Sequence, residues 1–170
     1  MAVDGIMAGA EISLVDMDKP EQTQIIIGHA GFIKTAEDLY EALISSVPKI
    51  RFGVAFNEAS GPRLVRVEGN DAGLKRLAGR NALAIGAGHS FVIMFEEAYP
   101  INVSNAVKSV AEVSTIFCAT ANHVQVVLAK SNLGSAIIGV VDGSDAAGIE
   151  KDDDRKRRRG LLKRIGYKLE

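Results

Sequence analysis

Apolar and polar positions alternate in short runs along most of this chain, interrupted by four stretches with helical spacing. Glu11–Met17 alternates as a half-exposed strand does. Gln24–Gly28 carries three consecutive isoleucines, the pattern of a strand buried on both faces, and is expected to end at the glycine. Thr35 then reads as the N-cap of a helix with an acidic first turn at Glu37 and Asp38. Its apolar face is Leu39, Tyr40, Leu43, Ile44 and Val47, and Pro48 stops it. Ile50–Phe56 reads as a second buried strand, Asn57–Pro62 as a polar turn, and Arg63–Glu68 as an alternating, half-exposed strand.

Gly69 and Asn70 are expected to cap a second helix, whose apolar face is Leu74, Leu77, Ala78, Ala82 and Ile85. Gly86 and Gly88 turn the chain into the strand Ser90–Phe95. Pro100 then opens a helix carrying Ile101, Val103, Ala106, Val107 and Val110. Three strands follow in close succession: Ser114–Ala119, Val124–Ala129 and Ala136–Val141. The charge run from Lys151 to Arg159, followed by Leu161, Leu162, Ile165 and Tyr167, predicts an amphipathic C-terminal helix with a strongly solvated face. This alternation gives an α/β fold, with α+β as the alternative. A mixed sheet is expected, because the last strands are joined too tightly for helical crossovers. No repeat or linker divides the pattern, so residues 11–170 are expected to form one domain behind a flexible tail, residues 1–10.

Composition narrows the class further. The 170 residues are 47% hydrophobic and 24% charged, enough apolar material for a full single core. A formal net charge of -1 provides no global field for nucleic acid or a membrane surface, and neither is expected as a partner. The single cysteine, Cys118, excludes an internal disulfide framework and fits a reducing cytoplasm. No apolar run approaches the roughly 18 residues of a membrane span.

Several segments carry candidate chemistry. The turn Gly86-Ala87-Gly88-His89 sets an imidazole between a helix and a strand. There it can accept a proton, accept a phosphoryl group, bind metal or merely cap the turn. Gly28-His29-Ala30-Gly31-Phe32-Ile33-Lys34-Thr35 lies one residue from a phosphate loop. Ile33, however, stands where the second glycine belongs, and its branched Cβ resists the backbone geometry that phosphate approach needs. Lys34 and Thr35 at a helix start still suit an anion site, or equally a surface lysine beside an ordinary cap.

Glu58, Ser60 and Arg63 bring a carboxylate, a hydroxyl and a guanidinium within six residues, able to orient a sugar hydroxyl, hold a metal or clamp a phosphate. An ordinary Ser-Gly-Pro turn explains them as well. Thr120 and Asn122 offer the donors and acceptors a base edge requires, next to small residues that admit a flat ligand. Asp142 suits a metal ligand or a turn, and Asn102 a ligand or a helix cap. Metal chemistry is poorly supported, because His29, His89 and His123 are scattered and no metal-ligand spacing exists.

Taken together and in order, these segments resemble the adenosine-specific kinase family. The resemblance is carried by Phe32–Thr35 with Glu37–Leu43, Lys49–Phe56, Glu58–Gly61, Gly86–Phe91, Pro100–Val103, Cys118–Asn122, Gly139–Gly143 and Arg164–Leu169, and it covers about residues 11 to 170. Its members are small, mainly archaeal and bacterial proteins, long catalogued as a conserved domain of unknown function. The resemblance implies a fold other than the phosphate-loop NTPases, a homo-oligomer (a trimer in preference), and binding of adenosine or AMP. It implies that His89 is catalytic, either as general base on a ribose hydroxyl or as transient carrier of the phosphoryl group. Glu58 would orient the ribose or a magnesium ion, Lys34 and Arg63 would neutralise phosphate, and Thr120 and Asn122 would hold base or sugar. ATP or another phosphoryl donor with Mg2+ is expected, although no motif announces it. Two positions depart from the family pattern: His123 stands where proline is expected, and His29 where a polar, non-ionising residue is commoner. The alternatives to a kinase are a non-catalytic adenosine or AMP sensor, and a phosphohistidine carrier or phosphatase.

Overall fold

The computed structural model describes residues 9–167. The tail expected for residues 1–10 falls almost wholly outside that range, and so do Lys168 and Leu169 of the ending. Twelve elements follow in chain order: β1 (Glu11–Asp16), β2 (Gln24–Ala30), α1 (Thr35–Ser46), β3 (Arg51–Asn57), β4 (Val65–Gly69), α2 (Ala72–Ile85), β5 (Ser90–Glu96), α3 (Pro100–Lys108), β6 (Val113–Thr120), β7 (Val124–Lys130), β8 (Ser135–Asp142) and α4 (Asp152–Arg164).

Helices and strands mix in one unit, as the alternation predicts, but the sheets differ from the single mixed sheet expected. There are two, a five-stranded sheet in the order β4-β3-β5-β2-β6 and a three-stranded sheet in the order β1-β7-β8. Every strand pairing in both is antiparallel. The reason lies in the connections. Helices α1, α2 and α3 each join strands two places apart in the five-stranded sheet, and an antiparallel strand fills the gap between them. Sequence alternation reads such split crossovers as α/β units.

The five-stranded sheet is buried on both faces. Phe52, Val54, Phe56, Phe91, Ile93 and Phe95 pack with Ile26 beneath α1 and α3. On the other face Ile25, Ile27, Ala55, Val92 and Met94 meet α2 and the inner positions of β7, Val124, Val126 and Leu128. This explains why β2 reads as a continuous apolar run. It does not end at Gly28. A Cβ there would lie 2.3 Å from the Phe91 ring, so the glycine makes room for an aromatic and the strand continues through His29 to Ala30.

Two caps differ from expectation. Lys34 occupies the N-cap position of α1, and Thr35 is its first residue, the hydroxyl donating to the Phe32 carbonyl. At α2 the cap is Asp71, whose Oδ1 accepts from the Leu74 N–H at 2.9 Å. Asn70 instead ties down β3, accepting from the Phe52 N–H and donating to the Ile50 carbonyl. The charged helix α4 forms over Asp152–Arg164 with its solvated face, but none of its residues is buried, so Leu161 and Leu162 do not give it the buried face an amphipathic pattern implies.

Candidate active site

At one end of the five-stranded sheet, the last residues of β2 and β3 and the first of β5 converge. His89 lies just before β5 with φ +62°, in the left-handed region that L-residues with a Cβ rarely adopt. Its backbone is fixed from both neighbouring strands: the His89 N–H donates to the Asn57 carbonyl at 2.7 Å, and its carbonyl accepts from the Ala30 N–H at 2.9 Å. Two buried polar side chains hold the turn beneath it. Asn57 Nδ2 donates to the Ala82 carbonyl and to Ser90 Oγ, and Ser90 Oγ donates to the Ala87 carbonyl. Gly86 ends α2 at φ +59°, and a Cβ on Gly88 would lie 2.9 Å from the Ala59 Cβ. The second glycine therefore lets the turn lie against the loop that carries Glu58.

Glu58 faces the His89 ring, Oε1 standing 3.9 Å from Nε2, and its side chain is only 8% exposed. Oε1 accepts from the Ala59 and Ser60 N–H groups and from the Ser60 hydroxyl, and Oε2 accepts from Arg66. Burial pushes this carboxyl upward, but the Ser60 and Ala59 amides, the Ser60 hydroxyl and the Arg66 charge outweigh it and hold it below the ordinary carboxylate range. Glu58 is thus a fixed anion beside an imidazole. Its oxygens are already occupied, so it is poorly placed to hold magnesium. Among the described residues no three His, Cys, Asp or Glu side chains gather to bind a metal ion.

The partner of Glu58 is Arg66, a residue the sequence pattern does not single out. Arg63 lies exposed at the tip of the β3–β4 loop with φ +52° and, among the described residues, forms no ion pair. The hairpin register holds the signal that sequence reasoning passed over. Phe56 pairs with Arg66 across β3 and β4, so Arg66 lies beside Glu58 although eight residues away. Phe56 also lies nearly parallel to the His89 ring, with centroids 5.8 Å apart.

Two further residues reach the same end. His29, on β2, sets its ring edge-on to His89 at 6.0 Å, and its Nδ1 lies 2.9 Å from Ser114 Oγ. Burial, with His89 adding, lowers the His29 imidazole below its ordinary range.

The other expected site residues are distributed elsewhere. Lys34 pairs with Asp38 and lies 3.6 Å from Glu112, so its charge is engaged within the chain. Thr35 is buried beneath it. Asn102 Oδ1 accepts from the Tyr99 N–H, the helix-cap alternative for that residue. Thr120, Asn122 and Asp142 do come together: Asp142 Oδ1 accepts from both Thr120 Oγ1 and Asn122 Nδ2, at 2.8 and 2.9 Å. They lie, however, at the far end of β6, where Thr120 pairs with Ile25 rather than with His29. That separation is about 13 Å along β2. Beside them opens a cleft of about 580 Å³ lined by Tyr99, Ile101, Ser104, Thr120, Leu162 and Tyr167. The adjacent Cys118 is no nucleophile, because burial, with Asp142 adding, pushes its thiol up to about 12.

No curated protein matches the chain. Among solved structures, the crystal structure of PH1918 protein from Pyrococcus horikoshii OT3 is similar to it at 48% identity, with a TM-score of 0.90, covering 95% of this chain and 99% of that one. The family described as adenosine specific kinase matches residues 15–168, a span that takes in the histidine turn, the Glu58 loop and the Thr120–Asn122 segment alike. A single match across the whole folded unit assigns it by its entire layout: the chain belongs to the adenosine specific kinase family.

Proposed function

We propose that this protein transfers a phosphoryl group to adenosine, with His89 as the residue that carries it. The supporting observation is the pairing of His89 with a buried, ionised Glu58 whose own position is fixed by Arg66 and the Ser60 loop. A carboxylate facing Nε2 favours the proton on that nitrogen and leaves the lone pair on Nδ1. Nδ1 then attacks the terminal phosphorus of the donor. The phosphorus–oxygen bond breaks and its electron pair leaves with the nucleoside diphosphate. In the second half, a hydroxyl of adenosine attacks phosphorus and the electron pair of the phosphorus–nitrogen bond returns to Nδ1.

ATP is the proposed donor, with magnesium carried on its phosphates rather than held by the chain. Arg63, which forms no ion pair among the described residues, is a cation placed to meet those phosphates, and Ser60 lies beside it.

We further propose a homo-oligomer, a trimer in preference, working in the cytoplasm. Among the described residues no helix is long and apolar enough to cross a membrane. Thr120, Asn122 and Asp142 would hold base or sugar only if their end of one copy meets the His89 end of another. One observation favours a non-catalytic adenosine or AMP sensor: Lys34, the other expected phosphate cation, is taken up by Asp38 and Glu112.

Incubation with adenosine, magnesium and ATP labelled in its terminal phosphate separates the two. The kinase reading expects labelled AMP and an acid-labile, base-stable label on the protein, both lost in His89→Ala with folding retained. A wild-type protein that binds adenosine yet labels neither itself nor the nucleoside is a sensor.

A further inference from the structure

His29 is an ionisable side chain at this end of the sheet with no place in the pairing of His89 with Glu58. It stands on β2 between two neighbours, with β5 bringing His89 to one side and β6 bringing Ser114 to the other. Strand β6 is bulged here. His29 pairs with Thr115 and Ala30 with Val113, so Ser114 is the extra residue. A bulge re-aims a side chain out of the regular pleat. In this case it sets one hydroxyl against two atoms of the same histidine: Ser114 Oγ donates to the His29 carbonyl at 3.1 Å and lies 2.9 Å from Nδ1.

A serine hydroxyl has a single proton. With that proton on the carbonyl, the contact to Nδ1 is a hydrogen bond only if Nδ1 carries hydrogen and donates it. The ring is then the Nδ1–H tautomer, and Nε2 keeps its lone pair. Among the described residues nothing hydrogen-bonds to Nε2, and the half-buried ring stands T-shaped to the His89 ring.

We propose that His29 accepts the proton of the adenosine hydroxyl as that oxygen takes the phosphoryl group from His89, an assignment that rests on the kinase reading above. The oxygen–phosphorus bond forms and the phosphorus–nitrogen bond breaks. The electron pair returns to His89, and the hydroxyl proton passes to His29 Nε2 and from there to water. A neutral imidazole is what this role needs at neutral pH, and the lowering of His29 by burial and by His89 acts in that direction. The titratable groups facing it are His89 from the β5 side and, behind His89, Glu58. From β6 its neighbours in the register are the uncharged Ser114 and Thr115.

The test follows the two half-reactions separately with ATP and adenosine. His29→Gln is expected to accept label from ATP within twofold of wild type. It should pass that label to adenosine on the order of 100-fold more slowly. The wild-type transfer rate should rise with pH through the His29 ionisation, below the ordinary histidine range, and the variant should lack that limb. Nitrogen-15 spectra of the histidine rings should give the Nδ1–H tautomer for His29, and Ser114→Ala should weaken that preference and slow transfer while leaving the imidazole in place. Transfer by His29→Gln at the wild-type rate and pH profile overturns the inference alone, and so does an Nε2–H tautomer for His29. Absence of labelled protein and labelled AMP from the wild type overturns the kinase reading beneath it.

Discussion

A histidine at φ +62° is a costly choice for a turn that already contains two glycines. Left-handed backbone costs an L-residue about 1–2 kcal/mol, and here the conformation is imposed by hydrogen bonds to Asn57 and Ala30 on either side. On the proposed reading the imidazole is kept for what it does, not for how it folds. Replacing it separates the two contributions. His89→Gly relieves the backbone and His89→Ala does not. The glycine variant should be more stable than the alanine variant by about 1 kcal/mol in urea unfolding, and neither should form AMP. Equal stabilities would mean that the turn relaxes without strain and that the positive φ carries no functional meaning. The same scale shows what sequence can and cannot reveal. His89 stood out because glycines framed it, whereas Arg66 did not, because its bond to Glu58 exists only once a hairpin has closed.

At the scale of elements, the strands and helices are legible because each buries a regular face. Leu74, Leu77, Ala78, Ala82 and Ile85 are all buried, as the spacing of α2 predicts. Boundaries fail where a residue serves packing rather than chain reversal. Gly28 reads as a strand end but clears space for Phe91, and with that misreading His29 appears in a loop instead of on the strand that aims it at the site. The start of α2 is a second case, since Gly69, Asn70 and Asp71 follow one another as cap candidates and only the folded contacts choose Asp71. Its carboxylate accepts the Leu74 N–H and pairs with Arg51, and these hold it below the ordinary range. A depressed carboxylate contributes stability above its unfolded value and loses it as pH falls through the folded one. Asp71→Ala should therefore cost about 1 kcal/mol at pH 7. That difference from wild type should shrink as pH falls below roughly 4. A gap that persists undiminished in strong acid would remove the charged cap as its cause.

For the whole molecule, the unresolved element of the design is the outer face of the three-stranded sheet. Its inner positions pack on α2 and the larger sheet, but Ile12, Leu14 and Ile138 point outward at 58%, 59% and 57% exposure. Contiguous apolar side chains on a sheet face are the composition of a covered surface. The alternation in β1 reads as a strand, and a strand it is, yet sequence cannot tell which of its two faces meets the chain's own core. The distribution of the site residues bears on the same point, because one chain holds His89 and Glu58 at one end of β2 and Thr120, Asn122 and Asp142 at the other. If copies associate through this face and thereby complete the nucleoside site, Leu14→Glu should shift sedimentation from oligomer to monomer. It should also weaken adenosine binding at least tenfold, with the fold retained in circular dichroism, since an unpaired buried charge at an interface centre costs several kcal/mol. A monomeric variant that binds adenosine with wild-type affinity would keep the oligomer but confine the nucleoside site to one chain. In that case Thr120, Asn122 and Asp142 serve the turn between β6 and β7 and not the ligand. A wild-type protein that sediments as a monomer leaves the exposed face to be covered by something other than its own kind.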